Sequence, residues 1–105
     1  MAAPPRLKTG WDVLQHELQE EQASTIGRLS RELRAALDAL SAFDAAQGDR
    51  RDPERKRLVD AAGYALWHFV VQRDCIGFRF TEQVLKDYRV PAEVRARMGV
   101  AVRPR

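Results

Sequence analysis

Two histidines and one cysteine are the side chains best suited to chemistry in this chain, and they stand far apart. His68 lies in the run Leu66-Trp67-His68-Phe69-Val70, where a buried imidazole could act as a general base or ligate haem. The plainer reading is a core or interface histidine held by a hydrogen bond. His16 has Glu20 four residues on, with Glu17 and Glu21 beside it, a spacing that places ion-binding groups on one helical face. Carboxylate-bridged di-iron bundles need Glu three residues before His on two helices, and Val13 and Ala65 occupy those places here. The acidic cluster therefore reads as a solvated face.

Cys75 follows Arg73, whose charge could lower the thiol pKa and make it reactive. No second cysteine exists, and neither histidine is expected nearby as a base, so a half-buried structural thiol is the simpler reading. Ser24, Ser30 and Ser41 lack a Gly-x-Ser-x-Gly elbow, and no glycine-rich phosphate loop is present. These patterns predict no catalytic, metal or cofactor residues, and the chain is not expected to be an enzyme.

Basic residues carry the clearest hint of binding. Arg50, Arg51, Arg55, Lys56 and Arg57 form a run interleaved with Asp52 and Glu54, suited to anions such as nucleic-acid phosphates. A solvated surface is the plainer interpretation. Arg95 and Arg97 belong to a second candidate, Glu82–Met98, which has the look of a helix–turn–helix. Against it, the turn has no glycine, the second helix is short, and Arg95 falls where an apolar residue would help dock the pair. Charge is uneven along the chain: residues 1–48 hold five Lys/Arg and seven Asp/Glu, residues 49–105 thirteen and eight. Such asymmetry suits either an anionic partner or attraction between the two halves of one bundle.

Helices must position these residues. Thr9 is a plausible N-cap, with Asp12 completing a capping-box-like pair. From there to Gln47 the apolar positions Trp11, Leu14, Leu18, Ile26, Leu29, Leu33, Leu37, Leu40 and Phe43 predict one long helix. The repeat Leu18-Leu29-Leu40 spans eleven residues per step, about 3.67 per turn, so the stripe runs nearly straight. Ala23–Gly27 is the weak point, where a break is the alternative. Gly48 is the expected stop. Asp52 and Pro53 cap and open a second helix running to about Cys75, antiparallel to the first.

That second helix is uncharged and apolar on all sides from Ala61 to Val71, so it must be covered on more than one face. Gly63 is expected to mark a close crossing with Ala35, Ala36 and Ala39 of the first helix. After two apolar aromatics, Phe78 and Phe80, taken as buried, short helices are predicted from Glu82 to Tyr88, capped by Thr81, and from Pro91 to near Gly99. Their inner faces would carry Val84, Leu85 and Tyr88, then Val94 and Met98.

The segments ASTIGRLSRELRAALDALSAFD, LWHFVVQRDCIGFRF and VLKDYRVPAEVRARMG resemble a small, uncharacterised helical family of proteobacteria, over roughly residues 11–99. The resemblance implies a bacterial origin and a shared helical fold. It implies no activity and carries over no functional residue.

The expected fold is all-α: a long antiparallel hairpin followed by two short C-terminal helices, in one domain over residues 9–99 with tails at 1–8 and 100–105. A first helix of 38 residues would be about 57 Å long and outrun its partner. Trp11, Leu14 and Leu18 then need cover from the C-terminal helices or from a second copy, and a homodimer is favoured. Neither a membrane span nor a signal peptide is apparent, so a cytoplasmic protein is expected. The expected role is a non-enzymatic interaction or scaffold module, with nucleic-acid binding through the basic half as the alternative.

Overall fold

The computed structural model describes residues 9–46, 49–77 and 81–98. Four helices follow one another: α1 (Gly10–Ala46), α2 (Pro53–Cys75), α3 (Thr81–Asp87) and α4 (Ala92–Arg97). No strand occurs among the described residues.

Helix α1 starts at a reciprocal cap. The Thr9 hydroxyl accepts from the Asp12 amide at 3.0 Å, and the Asp12 carboxylate accepts from the Thr9 amide at 3.3 Å. Orphan amides of the first turn are thereby satisfied. The helix continues through Ala23–Gly27 without a break. Poor local propensity there is outweighed by neighbouring turns whose stripe is anchored: Leu29, Leu33, Leu37 and Leu40 are all buried. Asp52 accepts from the Glu54 amide at 2.8 Å, and Pro53 takes the first position of α2, where no amide hydrogen is required.

The two helices form the expected hairpin. Val59, Ala62, Leu66 and Phe69 of α2 meet the α1 leucines in a core completed by Val84 and Leu85 of α3 and Val94 of α4. Tyr88, just after α3, ties this end to α1: its hydroxyl is hydrogen-bonded to that of Ser30, its ring meets Phe69 edge-on at 5.6 Å, and the Arg34 guanidinium lies over it. The turn into α4 contains no glycine. Arg89 itself adopts the left-handed conformation, with φ of 51°. The Val90 amide reaches back to the Leu85 carbonyl at 3.0 Å and the Arg89 amide to that of Lys86 at 3.1 Å, a Schellman closure built on an arginine.

Two expectations need correction, and one of two alternatives falls away. Gly63 does make room for a crossing backbone, but the neighbour is α4. A Cβ at Gly63 would lie 2.9 Å from the Cβ of Arg97 and about 3 Å from its carbonyl carbon and oxygen. The hairpin already finds its spacing through leucines, and the small-residue notch is used by the last helix instead. Next, α3 and α4 pack near the middle and tip of the hairpin and do not fold back over the start of α1. Trp11, Leu14 and Leu18 remain 67%, 48% and 54% exposed. Finally, Cys75 is exposed: nine residues on from buried Leu66, at about 100° per residue, it falls on the opposite side of α2. Gly48, Phe78, Phe80 and the two tails, expected to be the helix stop, two buried aromatics and loose ends, lie outside the described residues.

The 37 residues of α1 against 23 in α2 leave the first helix longer by about 20 Å at 1.5 Å per residue. A radius of gyration of 18.8 Å, against about 13 Å for a compact domain of this size, expresses that overhang.

Candidate functional site

The hairpin tip is held together by charge. Arg55 sits in the first turn of α2, where the helix dipole disfavours a cation, and it is only 4% exposed. Carboxylates from two other helices resolve the conflict. Arg55 Nε and Nη2 donate to Asp44 of α1 at 2.6 and 3.0 Å, and Nη1 and Nη2 donate to Glu93 of α4 at 2.8 and 2.6 Å. Two forked pairs therefore lock three helices through one planar guanidinium. Hydrogen bonds from Arg55 hold both carboxyls below their ordinary values, and the same pairs push Arg55 further up.

A second junction lies one turn along. Arg97 Nε donates to Asp60 at 2.7 Å, and Lys56 Nζ donates to the other Asp60 oxygen at 2.9 Å. Burial pushes the Asp60 carboxyl up, yet the Lys56 and Arg97 hydrogen bonds together carry it below its usual value. Beside these junctions the loop at residues 50–52, the start of α2 and α4 form an open cleft of about 560 Å³, with Pro53 and Ala96 as its exposed apolar floor.

The seven basic residues singled out by sequence divide sharply. Arg50, Arg51, Arg55, Lys56 and Arg97 all line this cleft. Arg57 points elsewhere, 78% exposed and paired with Glu54 at 2.7 Å, and Arg95 joins α4 to α3 through Glu82 at 2.9 Å. Arg55 is an internal strut, with four donor contacts committed to Asp44 and Glu93, which corrects its reading as an open anion contact. Arg50 touches Glu93 at 3.2 Å while remaining 71% exposed. The Arg51 side chain has no ion pair among the described residues. Sequence reasoning passed over Asp44, Asp60 and Glu93, the carboxylates that organise the site. The signal was available in principle: three successive cations in the first two turns of a helix oppose its dipole and call for acidic partners.

The remaining candidates stay separate. His16 pairs with Glu20 at 3.2 Å on the exposed start of α1. His68 is half-buried, with ring centroids 5.2 Å from Tyr64 and 5.8 Å from Trp67. These rings form the face of α2 opposite its core side, and Tyr64 is 41% exposed there. Among the described residues, no three His, Cys, Asp or Glu side chains converge as metal ligands would. No described helix is long and apolar enough to cross a membrane.

Residues 3–105 match a family described as a family of unknown function, DUF6665, and the chain belongs to it. No curated protein and no solved structure matches the chain.

Proposed function

We propose that this member of a family of unknown function is a non-enzymatic interaction module that works as a homodimer. The observation carrying the proposal is the overhang of α1. Trp11, Leu14 and Leu18 continue the same stripe that Leu29, Leu33, Leu37 and Leu40 bury farther along, yet they extend past the end of α2 and stay exposed. Large apolar side chains in a continuous exposed row mark an association surface.

A second copy supplies a fitting partner surface. Residues 10–22 contain four carboxylates, Asp12, Glu17, Glu20 and Glu21, and no lysine or arginine. Pairing two such ends side by side would set carboxylate against carboxylate. The outer face of α2 offers an apolar partner without that repulsion: Tyr64 stacks on Trp67 and Trp67 on His68, in a stretch that carries no charged residue. If each α1 end lies on the partner's aromatic face, both unpaired surfaces are covered and the assembly closes with two-fold symmetry.

Light scattering at micromolar concentration tests this. The expected mass is twice the 12.0 kDa of the chain. Leu14→Glu or Leu18→Glu should give a monomer with unchanged helical circular dichroism. A wild-type particle of 12.0 kDa would overturn the proposal.

A further inference from the structure

We propose that the cleft between the start of α2 and α4 is a binding site for a small organic phosphate ester. Its size is the first reason: about 560 Å³ lies within the range of small-molecule sites. Its charge is the second. Arg50, Arg51, Arg55, Lys56 and Arg97 outnumber by one the carboxylates set among them, Asp52, Asp60, Glu93 and the Asp44 that is forked onto Arg55, which favours an anion.

The cations differ in their freedom, and that difference says how a ligand is held. Arg55 is clamped by Asp44 and Glu93 and forms a fixed wall. Arg50 makes one longer contact to Glu93 from a largely exposed position, and Arg51 carries no ion pair among the described residues. These two can close over a phosphate without dismantling the helix junctions. The start of α2 adds a favourable field, although its first amides are not free: Glu54, Arg55 and Lys56 all donate to Asp52. Recognition therefore rests on side chains.

The floor is the third reason. Pro53 and Ala96, both exposed, present apolar surface beside the charged rim, so the site suits an ester with an apolar or flat body better than bare phosphate. Long nucleic acid fits less well, because Asp52, Asp60 and Glu93 interrupt the basic surface.

Amide chemical-shift titration of the full chain tests the proposal, using phenyl phosphate, inorganic phosphate and a short DNA duplex as probes. Phenyl phosphate should shift amides around Arg51–Lys56 and Ala96–Arg97, and bind about ten-fold more tightly than inorganic phosphate. Arg51→Gln should weaken that binding several-fold without altering the thermal midpoint. Ala96→Glu, which places a carboxylate on the floor, should abolish it. The Leu18→Glu chain should bind as the wild type does, so this site can stand or fall apart from dimerisation. Shifts spread over unrelated basic residues such as Arg28 and Arg31, equal affinity for bare phosphate, or binding of duplex alone would each overturn the proposal.

Discussion

Replacing Gly63 by alanine tests the packing of the last helix most directly. In an ordinary helix interior the change is favourable by about 1 kcal/mol, because alanine loses less backbone freedom on folding. Here the new methyl would lie 2.9 Å from the Cβ of Arg97, 3.0 Å from its carbonyl carbon and 3.1 Å from its carbonyl oxygen. Carbon atoms pack at about 3.5–4.0 Å, so α4 would have to retreat by roughly half an ångström or more. Its freedom to do so is small: Val94 is fully buried, Glu93 is locked to Arg55 and Arg97 to Asp60. Overpacking of this kind costs about 1–3 kcal/mol, which leaves Gly63→Ala destabilising by about 1 kcal/mol after the propensity gain. Gly27→Ala is the control. Its methyl would meet only the tip of the flexible Arg31 side chain at 3.4 Å, so most of the favourable 1 kcal/mol should survive. Urea unfolding at one fixed protein concentration, followed by circular dichroism, should move the two midpoints in opposite directions. If both substitutions stabilise equally, α4 does not cross α2 at Gly63.

Acid should loosen the hairpin tip. Asp44, Asp60 and Glu93 have folded-state pKa values below their ordinary 3.8, 3.8 and 4.5, so their contribution is fully present above those ordinary values and is lost as pH falls through the depressed folded ones. The urea midpoint should therefore fall below about pH 4.5, and Glu93→Gln should flatten part of that fall; an unchanged acid limb in the variant would contradict the role given to the Arg55 clamp. At the α3–α4 turn, Arg89→Gly should stabilise by about 0.5 kcal/mol, since relief of about 1–2 kcal/mol of left-handed strain outweighs the roughly 0.5–1 kcal/mol that glycine loses in backbone freedom. A lower urea midpoint for that variant would mean that the turn does not require positive φ.

Much of the helical framework was legible because its causes are local. Thr9 with Asp12 and Asp52 with Pro53 mark where α1 and α2 start, and the leucine stripe fixes which face of α1 is buried. The continuity of α1 through Ser24, Thr25 and Gly27 was less secure, because weak propensity there is overruled by packing on the turns that follow. The basic tip could be seen as a cluster, but the division of labour within it could not: Arg51 and Arg55 are alike in sequence, and only one is a strut.

Local patterning alone thus determined an all-helical chain, a hairpin with one buried stripe, and an excess of positive charge near its tip. Tertiary structure decided that α4 takes the notch at Gly63, that Asp44 and Glu93 capture Arg55, and that the far end of α1 is left uncovered. The reason is physical. Caps and periodicity act within one or two helical turns, whereas the position of α4 depends on Asp44, Arg55 and Glu93, which are distant in sequence and meet only when three helices are packed.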